Sequence, residues 1–105
     1  MSPEFVVLYR WRIAAGFEDE FADAWSSVTR TMLTRGSLGS RLHRSDDDTF
    51  YAYAQWPSAA ARDAAFLAPD GPSPASATMA RLIVESFPEI HLHLVADFLV
   101  RDDAL

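Results

Sequence analysis

Apolar and polar residues alternate near the start of the chain, and the alternation predicts a β-strand over residues 5–13, FVVLYRWRI. One face of this strand would carry Phe5, Val7, Tyr9, Trp11 and Ile13, and the other face Val6, Leu8, Arg10 and Arg12. Gly16 then allows the chain to turn. Both faces hold large apolar side chains, so the pattern leaves open which of them meets the helices.

The next segment has a helical period. Between residues 17 and 35 the apolar residues Phe17, Phe21, Trp25, Val28 and Met32 recur every three or four positions, which predicts an amphipathic helix. Acidic residues at its start and arginines near its end suit the helix dipole. Two further helices are predicted, an alanine-rich one over 58–67 and one over 75–86 that ends before Pro88, with a loop over 70–74 between them.

Three more strands complete the pattern. Segments 40–45 and 49–56 form a predicted hairpin around Asp46–Asp48, and 90–100 is a long final strand. The order β-α-β-β-α-(α)-β predicts an α+β, ferredoxin-like fold, a four-stranded antiparallel sheet with helices on one face. The opposite face would carry Val6, Leu8, Tyr51, Tyr53, Val95 and Leu99. This face is too apolar for water, so we expect a homodimer packed sheet against sheet.

Length and composition narrow the function classes. The 105 residues suit a single domain spanning 1–105. Nine basic against fifteen acidic residues give a net charge of −6, which argues against a nucleic-acid partner. The absence of cysteine excludes disulfides, thiolate metal sites and a cysteine nucleophile. The N-terminus lacks signal-peptide character and no apolar run approaches the roughly 20 residues of a membrane span, so we expect a cytoplasmic protein.

The familiar catalytic motifs are missing, because the chain has neither a glycine-rich phosphate loop nor a G-x-S-x-G elbow. His91 and His93 share a strand face with Asp97, a spacing that some metal sites use. The same face should meet the partner sheet, where Arg10 or Arg12 could pair with Asp97. We therefore expect structural roles for these histidines and no metal.

The order and spacing of these segments resemble the antibiotic biosynthesis monooxygenase family. The resemblance is carried by FVVLYRWRI before Gly16, Phe21 to Trp25, GSLGSRLHRS (36–45), DDTFYAYAQWPS (47–58) and the last strand. It covers nearly the whole chain and implies a dimeric α/β barrel. It also implies oxygen chemistry of one of two kinds, cofactor-free oxidation of phenolic polyketides or haem degradation, although many members have no known activity.

The haem alternative fits this chain poorly. Haem-degrading members ligate iron through a histidine that follows the position of Trp56, and residues 57–90 contain no histidine. Tyr9 stands where those members carry an asparagine that contacts bound oxygen. We therefore expect no haem and no other cofactor.

Cofactor-free oxygenation of an aromatic needs a dry pocket and a polar group that stabilises a phenolate. Ala52 and Ala54 share a strand face with Trp56, and their small side chains could leave room beneath the helices. The predicted substrate pocket consists of Trp11, Trp25, Ala52, Ala54, Phe66, Met79 and Leu82. The resemblance makes Trp56 the family's active-site tryptophan, and the Tyr9 phenol could donate to a substrate oxygen, so these two are the predicted catalytic residues.

Two hypotheses follow. The first is a homodimeric monooxygenase that uses O2 on a small hydroxylated aromatic or quinol-like compound without a cofactor. The second is a non-catalytic dimeric barrel that binds a small apolar ligand, and it is favoured if Trp25, Phe66 and Leu82 fill the space above the alanines. Arg62, on the helix after Trp56, could reach an anionic group, although arginines at such positions are usually solvated.

Overall fold

The computed structural model describes residues 4–67 and 73–100. Its elements are β1 (Phe5–Ile13), α1 (Glu18–Leu33), β2 (Gly39–Arg44), β3 (Thr49–Trp56), α2 (Ala59–Phe66), α3 (Pro74–Leu82), β4 (Ile83–Ser86) and β5 (Ile90–Leu92). The antiparallel sheet has the order β2-β3-β1-β4, and β5 also pairs with β1. The predicted α+β, ferredoxin-like architecture is confirmed, with five strands in the described residues where the sequence predicted four.

The fifth strand arises because the last part of the chain, predicted as a helix over 75–86 and one strand over 90–100, contains two short strands, β4 and β5. The helix expected over 75–86 ends at Leu82, and the β-branched pair after it begins β4, which lies opposite Trp11–Ile13. β5 lies opposite Val6–Leu8, so the two short strands share one edge of β1. Pro88 separates them, since it has no N–H to donate to a strand ladder.

The predicted final strand over 90–100 is regular only as far as Leu92. Residues 93–100 have no regular secondary structure, and Val95, Phe98 and Val100 are almost fully exposed. A strand needs a hydrogen-bonded neighbour, and this segment pairs with none of the strands in the described part of the chain.

The core lies between the sheet and the helices. In one cluster Phe5 and Val7 of β1 pack with Ala54 and Trp56 of β3 and Ala65 of α2. A second cluster joins the buried side chains of Phe21, Phe50 and Leu82, with Trp11 and Ile13 packed against it. The face of β1 that carries Phe5, Val7, Tyr9, Trp11 and Ile13 is therefore the one that meets the helices.

Two tight turns fix the ends of these strands. Gly16 has a φ of 88°, a conformation that favours glycine, and its N–H donates to Glu18 Oε1 at the start of α1. In the β2–β3 hairpin Asp48 has a φ of 67°, which aspartate tolerates better than most residues. The acidic run thus forms the predicted turn. No helix in the described ranges is long and apolar enough to cross a membrane.

Candidate active site

A cavity of about 150 Å³ lies between the sheet and the helices. Its walls are mostly apolar and come from all three helices, from β1 to β3 and from the segment before β2. The lining residues are Tyr9, Trp11, Trp25, Val28, Thr29, Met32, Ser37, Ser40, Ala54, Trp56, Phe66 and Met79. A cavity of this size matches the roughly 150 Å³ apolar cavities that accept one benzene ring.

The strand register explains why the space is open. Val7 lies opposite Ala54, and Trp56 lies opposite Phe5, four residues along β1 from Tyr9. At about 3.3 Å per residue, the backbones of Tyr9 and Trp56 are therefore roughly 13 Å apart along the sheet. Ala54 lies between these large side chains, and its methyl group cannot fill the gap.

Two pairs of aromatic side chains belong to the cavity wall. The rings of Tyr9 and Trp11 are stacked, with centroids 5.6 Å apart and planes 13° apart. The rings of Trp56 and Phe66 meet edge to face at 6.1 Å. Rings held in these arrangements are well suited to pack on a flat aromatic ligand.

Trp56, which lines this apolar space, also carries an unpartnered polar atom. Its side chain is 2% exposed, and its Nε1 is buried without a hydrogen-bond partner among the residues described. An indole N–H can only donate, and leaving a buried donor unpaired costs about 1–3 kcal/mol. The atom itself is not exposed to the cavity, so a ligand oxygen recovers that cost only if the indole or its neighbours shift slightly.

Tyr9 supplies a second donor. Its hydroxyl accepts a hydrogen bond from Arg62 Nη2 at 3.1 Å, and the hydroxyl hydrogen itself has no acceptor among residues 4–67 and 73–100. Burial raises the pKa of the Tyr9 phenol, an effect that the charge and hydrogen bond of Arg62 only partly offset. Tyr9 therefore remains protonated at neutral pH and can donate to a ligand.

Arg62 links Tyr9 to Glu89 behind the cavity wall. Arg62 Nη2 lies 2.7 Å from Glu89 Oε2, and Glu89 Oε1 lies 3.0 Å from His91 Nε2. Partial burial would raise the pKa of Glu89, but the hydrogen bonds and charges of His91 and Arg62 together hold that pKa below its ordinary value. Glu89 is accordingly a carboxylate at neutral pH and balances the charge of Arg62.

Carboxylate and imidazole groups do not line the cavity in the part of the chain that the structure describes, so it offers no evident general base. This cavity is suited to binding and polarising a ligand oxygen.

The histidines considered as metal ligands lie outside the cavity. His91 and His93 are exposed and pack their rings on Phe5, and no cluster of three metal-ligating side chains occurs in the described ranges. The two arginines considered as partners of Asp97 have other contacts: Arg12 pairs with Glu85 at 3.3 Å, and Arg10 donates to the Pro88 carbonyl.

The structure brings most of the predicted site residues together. Tyr9 and Trp56, the predicted catalytic residues, line the cavity with Trp11, Trp25, Ala54, Phe66 and Met79. Ala52 and Leu82 do not line it, and both are buried in the surrounding core. The space above Ala54 is open, and Trp25 and Phe66 form its walls without filling it.

Sequence reasoning missed part of the site. Val28, Thr29, Met32, Ser37 and Ser40 also line the cavity. The helical period already placed Val28 and Met32 on the stripe of α1 that faces the sheet. Ser37 and Ser40 follow α1 and had no signal in the sequence, since their place depends on how the chain returns to β2.

Solved structures share this fold over nearly their whole length. Proteins described as antibiotic biosynthesis monooxygenases from Bordetella bronchiseptica and Chloroflexus aurantiacus are each 16% identical to this chain, with TM-scores of 0.75 and 0.72. The matches cover 90% and 92% of this chain and 100% and 98% of those chains. SnoaB, a cofactor-independent oxygenase from Streptomyces nogalater, is 19% identical with a TM-score of 0.69, covering 96% of this chain and all of its own.

At these identities the structural likeness shows the fold alone. No curated protein is similar enough to this chain to count as a match. The sequence model of the antibiotic biosynthesis monooxygenase family matches residues 4–69, which is more than half of the chain and includes β1 to α2. The chain therefore belongs to the antibiotic biosynthesis monooxygenase family.

Proposed function

We propose that this protein is a monooxygenase that uses O2 on a small hydroxylated aromatic or quinol-like compound without a cofactor. The observation that carries the proposal is the aromatic-walled cavity, which is sized for one ring and is lined by Tyr9 and Trp56. Family membership supports the reaction type, and the likeness to a cofactor-independent oxygenase supports the fold that houses it.

In the proposed reaction the substrate supplies the electrons and the protein supplies the binding site. A phenolate is rich enough in electrons to reduce O2, so the substrate supplies all four electrons. One oxygen atom forms a new carbonyl on the ring, the other leaves as water, and the phenol becomes a quinone. The side chains bind the ring, exclude water and stabilise the phenolate oxygen through the N–H of Trp56 and the hydroxyl of Tyr9.

The first experiment is oxygen uptake with naphthols, anthrones and hydroquinones, using labelled O2 to follow the atoms. We expect one labelled atom in the product for each O2 consumed. Trp56→Phe and Tyr9→Phe should each slow the reaction by about 10- to 100-fold, because each removes a hydrogen bond to a charged oxygen worth about 1.5–3 kcal/mol. Tyr51→Phe, a substitution outside the cavity, serves as the matched control. Unchanged rates in both site variants with a genuine substrate would refute the proposed roles.

A second candidate is a binding module without catalysis, which the absence of a carboxylate or imidazole from the described cavity lining favours. A thermal-shift screen with the same compounds separates the two candidates. A ligand at about 100 times its Kd stabilises the protein by roughly 2.7 kcal/mol, which raises the Tm measurably in a domain of this size. Compounds that raise the Tm and consume no oxygen would favour the binding module.

We also propose that two copies associate through the sheet face that points away from the helices. Leu8, Tyr51 and Tyr53 lie on this face and are only half-buried in the single chain, and the exposed apolar segment over 94–99 borders a groove beside Tyr53 and Gln55. A second copy would cover this surface.

A further inference from the structure

Arg62 lies behind the cavity wall and organises one of the residues that line it. Its side chain is 12% exposed, and its guanidinium carbon is 4.7 Å from the centroid of the Phe66 ring and 5.7 Å from that of Tyr9. Arg62 is not one of the described residues that line the cavity. Any influence on a bound ligand would thus pass through the residues that it contacts.

The contact with Tyr9 has a defined direction. A guanidinium has only donors, so the 3.1 Å bond from Arg62 Nη2 uses a lone pair of the Tyr9 hydroxyl and cannot use its hydrogen. A tyrosine without this neighbour could equally accept a hydrogen bond from a ligand. With Arg62 in place, the hydroxyl hydrogen is the part of this group that remains to bond a ligand.

Glu89 holds the guanidinium in this position. The same Nη2 atom of Arg62 donates to Glu89 Oε2 at 2.7 Å, and the other oxygen of Glu89 is 3.0 Å from His91 Nε2. The carboxylate thus has a partner on each oxygen, and it fixes the end of a long side chain that would otherwise sample many rotamers. The loop between β4 and β5 thereby controls a residue of β1 through α2.

The two polar groups assigned to the ligand, those of Tyr9 and Trp56, are then both donors. The indole N–H of Trp56 can only donate, the Tyr9 hydroxyl is directed to donate, and acceptor-only carboxylates are absent from the described lining. A neutral phenol would have to donate its own hydrogen to one of the hydroxyl groups of Thr29, Ser37 or Ser40, which also line the cavity, whereas a phenolate or a carbonyl needs only donors.

We propose that Arg62, held by Glu89, is a positioning residue that fixes the Tyr9 hydroxyl as a donor and makes the cavity select aromatic ligands with an acceptor oxygen. The ligands of this class are phenolates and quinone carbonyls. The inference deepens the proposed function. It rests on that function only for the statement that the selected ligand is also the substrate.

The probe is 4-nitrophenol, a single ring whose neutral and anionic forms absorb at different wavelengths. Spectrophotometric titration with the full chain gives the Kd of each form, and 4-nitrotoluene reports the apolar contacts alone. We expect the wild-type protein to bind the anion at least about 10-fold more tightly than the neutral form, the size of one charge-assisted hydrogen bond. Arg62→Met should reduce this preference to below about threefold and leave the Kd of 4-nitrotoluene within about twofold.

A double-mutant cycle separates positioning from simple attraction of charge. If Arg62 acts through Tyr9, Tyr9→Phe alone lowers the preference at least as far as Arg62→Met does, and combining the two substitutions lowers it no further. If the guanidinium attracts the anion directly, the two effects add, and additivity would overturn the proposal. Glu89→Gln should reproduce part of the loss of anion preference without removing the arginine. This variant keeps the test valid if Arg62→Met fails to fold.

Arg81→Met is the matched control, because Arg81 forms an exposed ion pair with Glu20. It should keep the wild-type preference. A preference retained in Arg62→Met would overturn the proposal, as would failure of the wild-type protein to bind nitrophenol. If nitrophenol does not bind, oxygen uptake with a larger hydroxylated aromatic would still support the proposed function. If the anion binds tightly and no oxygen is consumed, the proposed function fails and the selectivity proposal stands.

Discussion

At the scale of single residues, the cavity depends on one small side chain among large ones. Ala54 is buried in the core cluster and also lines the cavity, whereas Ala52, two residues earlier on the same face of β3, is 1% exposed and does not line it. The two alanines are alike in sequence and secondary structure. They differ in whether there is space above the methyl group.

Substitution by valine should distinguish the two positions. Ala54→Val can place its added methyl groups in the cavity, so the free energy of unfolding should change by less than about 1 kcal/mol while ligand binding weakens at least about 10-fold. Ala52→Val is the matched control and should lose about 1–3 kcal/mol, because the core around it is full. Urea denaturation and a ligand titration measure both effects. Equal destabilisation of the two variants would show that the space above Ala54 is already filled in solution.

At the scale of elements, the short helix α2 carries Arg62 and Phe66 to the site. Eight residues are too few to form a stable helix alone, so its ends and contacts matter. Ser58 caps the helix, and its Oγ accepts a hydrogen bond from the Ala61 N–H at 3.1 Å. Arg62 then ties the helix to the β4–β5 loop through Glu89.

Removal of the cap should loosen this element. We expect Ser58→Ala to lower the free energy of unfolding by about 1 kcal/mol, the usual cost of losing a serine N-cap. Ser73→Ala removes the corresponding cap of α3, where Ser73 Oγ accepts from the Ser76 N–H, and should cost a similar amount. If α2 orients Arg62, only Ser58→Ala should also reduce the preference for the nitrophenol anion. Equal effects of the two variants on that preference would contradict a special role of α2.

The ion pair between α2 and the loop should make stability depend on pH. The folded-state pKa of Glu89 lies below its ordinary value of 4.5, so its contribution is present above that value and is lost as the pH falls through the lower folded-state pKa. The Glu89 side chain is 37% exposed, and solvent screening limits the effect to about 1 kcal/mol. Urea denaturation should therefore show Glu89→Gln less stable than wild type at pH 7, with the difference shrinking toward pH 3. A difference that stays constant with pH would show that the carboxylate contributes no charge interaction.

At the scale of the whole molecule, one sheet face is only partly covered, since Val6 is buried there while Leu8, Tyr51 and Tyr53 are half-buried, and the end of the described chain is exposed. Val95 is 96% exposed and Phe98 is 94% exposed, and they belong to the segment after β5 that pairs with none of the described strands. Exposure of this many large apolar side chains on a chain of 105 residues is unfavourable in water. Association of two copies would bury them.

Sedimentation of the purified chain tests this proposal. We expect a dimer, and we expect Val95→Asp combined with Leu99→Asp to shift it toward monomer by placing charges in the interface. Leu67→Asp is the control, because Leu67 is 82% exposed at the end of α2 and belongs to the helix layer. A wild-type protein that sediments as a monomer at micromolar concentration would refute association through this face.

Much of the fold followed from local pattern. Three features depend only on residues close together in the chain: the alternation in β1, the apolar stripe of α1 and the turn residues between β2 and β3. All three elements form as predicted. The split between β4 and β5 did not follow, because Ile83–Ser86 and Ile90–Leu92 are defined by pairing with β1, some 70 or more residues earlier. Their composition alone suits a helix end or a single strand equally well.

The candidate site divides in the same way. The sequence by itself determined that large aromatics and small alanines share one face of β1 and β3, because residues two apart on a strand project to the same side. Only the tertiary structure decided that Ala54 borders open space, that Trp56 Nε1 is buried without a partner among the described residues, and that Arg62 contacts Tyr9 from 53 residues away. The physical reason is that period and propensity are local, whereas a cavity and a hydrogen bond depend on how distant elements pack together.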